Sequence, residues 1–245
     1  MTDRSTSFGR AAADYARGRP GYPDDAVAWM LDGVAGRVAD VGAGTGKLTA
    51  AVLRTRHDVV AVDPDPVMLA TLEAHVPRAA VALGRAEELP LADASVAAVV
   101  LGQAWHWVDV DTASAEAARV LAPGGTLGLV WNIRDERDPW MASLSRIIGH
   151  STAERLIADG GPRVGAPFGR LETYETSWTL PASASSLRAL VHSRSAYITA
   201  GEAYRRDLDA ALDSLIARTP GLDGDGLLPL RYVTHAYRAL VPRDA

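Results

Sequence analysis

Between residues 37 and 132 continuous apolar runs alternate with amphipathic, Ala/Leu-rich segments, and this alternation constrains the fold more than any other feature. RVADV (37–41), DVVAVD (58–63), AAVAL (79–83), SVAAVVLG (95–102) and TLGLVWN (126–132) read as strands. Between them, KLTAAVLRT (47–55), PVMLATLEAHV (66–76) and DTASAEAARVLA (111–122) read as helices, the last stopped by Pro123-Gly124-Gly125. PDDAVAWMLDG (23–33) adds a helix with a Pro-Asp start and a terminal glycine. Strands with no polar face belong in a parallel sheet covered on both sides. Right-handed crossovers then gather every strand's C-terminal end on one edge, where such sheets bind ligands.

After residue 135 the alternation weakens. PWMASLSRIIG (139–149) and AYRRDLDAALDSLIART (203–219) are predicted helices, and DGGPRVGAPFG (159–169) is a predicted loop or lid. LETYETSWTL (171–180) and LRYVTHAYRAL (230–240) alternate in strand fashion and are expected to close the sheet as an antiparallel pair. The expected fold is α/β and Rossmann-like: a seven-stranded, mostly parallel sheet, helices on both faces, an antiparallel C-terminal strand pair and helical cap additions.

The glycine cluster in VADVGAGTGKLT narrows the ligand. Counting back from Gly46-Lys47 places Val41 where a P-loop has its first glycine, and Leu48 stands where it has a hydroxyl. A dinucleotide fingerprint fails as well, because its third glycine falls on Lys47. The pattern here is Asp40-x-Gly42-x-Gly44-x-Gly46. A carboxylate against the turn repels a pyrophosphate at the next helix N-terminus and suits a ligand carrying an ammonium and a sulfonium. The glycines allow close backbone approach in either case. Asp63 ends the next strand, where a carboxylate can accept both hydroxyls of a ribose; dinucleotides and adenosyl ligands share that feature.

Composition removes several classes. Net charge is −5 with acids and bases interspersed, and no basic block of the kind that neutralises nucleic-acid phosphates is present, so no nucleic-acid partner is expected. The lack of cysteine eliminates disulfides, thiolate zinc sites and thiol nucleophiles. His57, His75, His150, His192 and His235 show no ligand spacing, so no metal site is expected. No apolar stretch reaches the roughly 18 residues of a membrane span, and MTDRSTSFGR lacks the apolar core of a secretory signal. No membrane partner and a cytoplasmic location are the expectations.

The ordered set VADVGAGTGKLT, VVAVDPDPVML, GRAEELPL, VLGQAWHWVD and RVLAPGGTLGLVWNIRD resembles the class I S-adenosylmethionine-dependent methyltransferases. The opening FGRAAADYARGRPGYP is similar to that of small-molecule members, including those related to trans-aconitate methyltransferase. The resemblance runs from about residue 8 to 135 and implies S-adenosylmethionine as cofactor. It implies that Asp40, Gly42, Gly44 and Gly46 line the methionine and ribose, that Asp63 holds the ribose hydroxyls, and that Met68 packs on the adenine. Ala86 and Glu87 would lie along the adenine edge, Gln103 near the methionine and sulfonium, and Tyr15 and Arg19 at the methionine carboxylate. One departure is Arg85, where many relatives carry an acid that accepts from the adenine amino group; a guanidinium cannot accept. The chain reads as one domain over 1–245: a lid segment 1–22, a cofactor-binding core 23–135, helical and substrate additions 136–219, and a closing strand 230–240.

The leading function is methyl transfer to a small-molecule acceptor by direct displacement. Two rival readings are an RNA or protein methyltransferase, and a scaffold of the same fold that holds cofactor without methylating. His106, just past the fourth strand, is a candidate general base, with a packed loop residue as its alternative. Trp105, Trp107, Trp131 and Trp140 fall near the ends of two strands on the ligand edge, predicting an apolar substrate pocket; the alternative is that they seal the core. Asn132 and Arg134 would orient the substrate, Arg134 by pairing with a carboxylate. If Asp63 accepts both ribose hydroxyls, Asp63→Ala should lose roughly 1.5–3 kcal/mol of S-adenosylmethionine affinity. Unchanged affinity by calorimetry would reject that assignment.

Overall fold

The computed structural model describes residues 19–222 and 226–242. Helix α1 (Asp24–Met30) leads into strand β1 (Val38–Val41), helix α2 (Lys47–Arg54), strand β2 (Val59–Asp63) and helix α3 (Pro66–His75). Strands β3 (Ala80–Leu83) and β4 (Val96–Gly102) follow, then a 3₁₀ turn over Trp105–Trp107, helix α4 (Val110–Val120) and strand β5 (Leu121–Arg134). The second half contributes α5 (Pro139–Ile148), α6 (Thr152–Ala158), β6 (Glu172–Ala182), α7 (Ala184–His192), α8 (Ser195–Ile198), α9 (Glu202–Ala217) and β7 (Leu228–Leu240).

The seven strands form one sheet in the order β3-β2-β1-β4-β5-β7-β6. The first five are parallel; β7 runs antiparallel between β5 and β6, as the alternation of its residues predicted. Chain order reverses between β1 and β4, opening a crevice at the carboxyl ends of the strands. Alternate strand residues feed the two faces. Val41, Val62, Val99, Leu101, Leu129 and Trp131 pack with Ala113, Ala117 and Val120 of α4 on one side. Val38, Val59, Ala98, Val100 and Val130 pack with α1 and α2 on the other. Helices α5, α7 and α9 bury Leu144, Leu187 and Leu212 against the starts of β7 and the end of β6, forming a separate apolar cluster. Among the described residues no helix is long and apolar enough to cross a membrane.

One boundary differs from the sequence reading. Helix α4 ends at Val120, and Leu121 already pairs with Val96, ahead of the Pro-Gly-Gly. The next pair is Ala98 with Thr126, so Ala122–Gly125 bulge out of β5 instead of ending a helix. Pairing wins because Leu121 and Val96 are both buried, and burying them fixes the strand before the proline is reached. Three helices, α6 to α8, add to the elements expected from sequence.

Gly125 makes the bulge testable. A Cβ there would lie 2.8 Å from the carbonyl oxygen of Ala122 and 3.1 Å from that of Ala97. Backbone oxygens cannot swing aside as the end of a side chain can. Gly125→Ala is therefore expected to lower stability by about 1–3 kcal/mol, read as a fall in Tm. An unchanged Tm would show that the bulge is pliant.

Candidate active site

The glycine loop and Asp40 build the floor of the crevice together. Gly42, Gly44 and Gly46 have φ of 66°, 55° and 86°, the left-handed region that side chains disfavour. A Cβ on Gly42 would lie 2.7 Å from Ala104 Cβ, and one on Gly46 2.8 Å from Leu72 Cγ. Gly42 and Gly44 line the crevice, whereas Gly46 turns toward α3 and serves packing. Asp40 is fully buried behind the loop. Its Oδ2 accepts from Thr49 Oγ1 at 2.6 Å in the first turn of α2. A carboxylate set this close to a helix terminus repels a phosphate there.

Asp40 Oδ1 has no hydrogen-bond partner among the described residues. Burial raises the Asp40 pKa to about 7, opposed by the Thr49 hydroxyl and reinforced by the charge of Asp63. Asp63 is raised too, chiefly by burial. Its Oδ2 accepts from Gly44 N at 2.8 Å and its Oδ1 from Asp65 N at 2.9 Å, so the side chain ties the loop after β1 to the loop after β2. Each oxygen keeps a second lone pair for an incoming hydroxyl. Two neighbouring carboxylates that both resist ionisation create a site that favours a cation.

The remaining predicted cofactor residues converge on the same cleft, a cavity of about 190 Å³. Met68 from α3, Ala86 and Glu87 after β3, Gln103 after β4, and Arg19 all line it. Glu87 Oε1 accepts from Asp109 N at 3.0 Å, so this acid also braces the turn before α4. Arg19 Nε donates to Ser193 Oγ at 3.1 Å, tying the chain's opening to the end of α7. Tyr15 and residues 1–18 of the expected lid lie outside the described residues.

The tryptophans and His106 correct the pocket expected from sequence. Trp131 is fully buried in the sheet core and Trp105 lies beneath the turn, its indole donating to the Arg163 carbonyl oxygen at 2.9 Å. Trp140 packs among the cap helices and donates to Thr219 Oγ1 at 2.8 Å. Only Trp107 of the four, 45% exposed, lines the cleft. Large rings beside a strand end gain more by sealing the core than by facing solvent.

Trp131 Nε1 donates to His106 Nδ1 at 3.3 Å. An indole N–H can only donate, so Nδ1 accepts and the proton of the neutral ring sits on Nε2. Burial, with the charge of Arg19 adding to it, pushes the His106 pKa down to about 4. At neutral pH the ring is therefore an uncharged donor through Nε2–H. The general-base expectation fails on this geometry, because the only lone pair faces Trp131.

Asn132 and Arg134 line a second cavity of about 60 Å³, which shares Arg19, Gln103 and Ser151 with the first. Their polar atoms are already committed. Asn132 Nδ2 donates to the Gly21 carbonyl at 2.8 Å, and its Oδ1 accepts from Thr234 at 2.7 Å. Arg134 is buried against Glu154 at 2.8 Å and donates to Ser145 Oγ and the Gly149 carbonyl. Arg134 as a free partner for a substrate carboxylate is thereby corrected: Glu154 already occupies it. Sequence reading missed Ser151, Glu154, Arg194 and Tyr232; the first two form the capping box of α6, and Arg194 after α7 and Tyr232 in β7 meet them only in the fold.

Residues 39–129 match the model of a methyltransferase domain. The chain is 46% identical over 242 residues to an uncharacterized methyltransferase of Mycobacterium tuberculosis, covering 97% of this chain and 96% of that protein. It is 31% identical over 240 residues to an uncharacterized methyltransferase-like protein of Schizosaccharomyces pombe, covering 94% of each. A solved protein of Anaeromyxobacter dehalogenans, assigned as a type II methyltransferase, shares the fold with a TM-score of 0.57 and 24% identity, covering 92% of this chain and 98% of that one. The chain belongs to the class I S-adenosylmethionine-dependent methyltransferases, and its cofactor is S-adenosylmethionine.

The residues present fit that cofactor. The unpartnered Asp40 oxygen and the Asp63 charge favour a ligand that is cationic and oppose a phosphate. A sign follows for pH. A carboxyl group held protonated toward neutrality gains negative charge as pH rises, so a cationic ligand gains more than a matched ligand lacking that charge. The preference for S-adenosylmethionine over S-adenosylhomocysteine, which lacks the sulfonium charge, is expected to rise between pH 6 and 8. Asp40→Asn should flatten the trend; a flat ratio in the unmodified protein by calorimetry would contradict the assignment.

Proposed function

We propose that this methyltransferase acts on a small-molecule acceptor seated past the ends of β4 and β5. The observation that carries the reading is that the two cavities adjoin, sharing Arg19, Gln103 and Ser151 as lining. The larger holds the residues that suit an adenosyl ligand; the smaller is walled by Leu190, Arg194 and Tyr232 from the cap and the closing strand. A space of about 60 Å³ admits one end of a small molecule and not a folded polymer. The absence of a basic block in the sequence agrees, since a nucleic-acid acceptor needs phosphate neutralisation.

In this reading Asp63 receives the ribose hydroxyls, Met68 packs on the adenine, Ala86 and Glu87 lie along its edge, and Arg19 takes the methionine carboxylate, with Tyr15 as its proposed companion. Gly42 and Gly44 admit the ligand backbone, Asp40 sets the negative potential beneath it, and Gln103 stands at the junction of the two cavities. When bound, the cofactor supplies an electrophilic methyl group on a positively charged sulfur. The chain's own contribution is to bring the acceptor in line with that methyl, exclude water and fix its orientation. His106 contributes a hydrogen bond from Nε2–H to an acceptor atom of the substrate and has no free lone pair with which to take a proton. An acceptor already nucleophilic at neutral pH needs nothing more.

Incubating the protein with methyl-labelled cofactor and a metabolite extract tests the reading: label should appear on a low-molecular-weight product. Label confined to protein or RNA would overturn it. With an acceptor in hand, the kcat/KM pH profile should show no limb from an imidazole between about pH 5.5 and 7. His106→Ala should lower turnover about 10–100-fold with cofactor affinity intact, and His106→Gln, which keeps a donor, should recover part of it. An acidic limb that vanishes in His106→Gln would restore the base assignment.

A further inference from the structure

The second cavity holds the only lysine of the chain. Lys47 is the first residue of α2, directly after the glycine loop, and its side chain is half-buried. It shares the cavity with Gln103, which lines both cavities where they adjoin. Among the described residues it has no hydrogen-bond or ion-pair partner. Burial lowers its pKa, and no neighbouring charge offsets the fall. Its place at a helix start adds a second bias, because the backbone N–H groups there disfavour a nearby cation.

The other ionisable groups around that cavity are engaged elsewhere. Glu154 of α6 is bound to Arg134 of β5 at 2.8 Å and accepts from the Ser151 N–H and hydroxyl. Arg194, after α7, donates to the Gly149 carbonyl at 2.9 Å, and Arg19 donates to Ser193. Tyr22 packs its hydroxyl against Gly102. Tyr232 keeps its proton, since burial pushes its pKa up to about 12. Asp40 accepts from Thr49 behind the glycine loop and lines neither cavity. In the first cavity, His106 has its lone pair on Trp131. Guanidinium groups do not give up their protons. Among the described residues that line the second cavity, the Lys47 amine is therefore the group able to take one up.

We propose that Lys47 is the general base of methyl transfer, its Nζ taking the proton from the nucleophilic atom of an acceptor seated in the second cavity. This rests on the small-molecule reading above and adds the chemistry of an acceptor that arrives still bearing its proton. A desolvated amine is suited to that task, because its neutral form is the one its surroundings favour. As the acceptor atom gains the methyl group it gives its hydrogen to the Nζ lone pair. The electron pair of the broken carbon–sulfur bond stays on sulfur, so the positive charge lost there appears on Nζ. The ammonium then returns the proton to solvent. The class of acceptor follows: its nucleophilic atom belongs to a hydroxyl or an ammonium and not to a carboxylate.

The first test needs no acceptor. Because the chain has one lysine, protein grown on lysine enriched in carbon-13 at Cε gives a single side-chain resonance. In the full chain loaded with S-adenosylhomocysteine, that resonance should titrate clearly below the same carbon in N-acetyl-lysine amide. With S-adenosylmethionine the midpoint should fall further, since the sulfonium charge opposes a second cation beside it. A midpoint at the reference value, or one indifferent to the sulfonium, overturns the proposal. The second test follows label from methyl-labelled cofactor into the small-molecule product of a metabolite extract. Incorporation should rise as pH climbs through the Lys47 titration. Lys47→Met should slow it by about 100-fold and abolish that rise, with S-adenosylhomocysteine affinity within about twofold. Lys47→Arg should recover nothing, since a guanidinium keeps its protons. Lys47→Cys alkylated with bromoethylamine rebuilds an amine at this position alone, the chain having no cysteine of its own, and should recover part of the rate. Should Lys47→Met lose cofactor binding through misfolding, the titration of the unmodified chain decides. The product should keep its label in mild alkali, as an ether or N-methyl group does and a methyl ester does not. Variants as fast as the unmodified protein, or label released by alkali as methanol, overturn this proposal and leave the small-molecule reading standing; label on macromolecules alone overturns both.

Discussion

A buried carboxylate at the end of the first strand organises the ligand edge. Asp40 accepts from Thr49, and so joins the tip of β1 to the first turn of α2 across the glycine loop. Asp63 repeats the device one strand over by holding Gly44 N, which draws the two loops into one surface. The left-handed glycines are what let the chain turn sharply enough for both bonds to form. The arrangement has an electrostatic price, two carboxylates close together in a low-dielectric setting, and a cationic ligand is what relieves it. Floor geometry and ligand choice thus have one cause.

The antiparallel strand β7 does for the second cavity what Asp40 does for the first. Inserted between β5 and β6, it places Thr234 against Asn132 and Tyr232 against Arg134. Thr234 accepts from Trp178 of β6 at 2.8 Å and donates to Asn132, which in turn holds the Gly21 carbonyl. A chain of hydrogen bonds therefore runs from the edge of the sheet to the segment before α1. Packing of Tyr22 against Gly102 tightens the same junction: a Cβ on Gly102 would clash with the tyrosine hydroxyl. Residues that the sequence offers as substrate contacts turn out to be the fixtures that shape the cavity.

His106 shows how one neighbour decides a role. Its residue type and its place after β4 allow either a base or a donor, and nothing in QAWHWVD chooses between them. The choice is made by Trp131, from the next strand, whose indole N–H takes the lone pair at Nδ1. Arg194 is the converse case. In VHSRS it is one arginine among many, and it gains meaning only where Glu154, Arg134 and Tyr232 surround it.

The sequence by itself determined the parallel core and the antiparallel closing pair, and it pointed to Gly42, Gly44, Asp63, Met68 and Gln103, which the fold brings to one cleft. These follow from short-range signals: strand runs without a polar face, glycines spaced for a turn, and carboxylates at strand ends. Boundaries were legible to within a few residues wherever the apolar face was marked, as in α5 and α9. Tertiary structure decided the rest. It turned the Pro-Gly-Gly stop into a bulge, because Leu121 pairs with Val96 first. It sent Trp105, Trp131 and Trp140 into packing, tied Arg134 to Glu154, and fixed the tautomer of His106. The physical reason is the range of the interactions. Backbone conformation and strand pairing are set by neighbours in sequence, whereas ion pairing, desolvation and the direction of a lone pair are set by groups that meet only when the chain has folded.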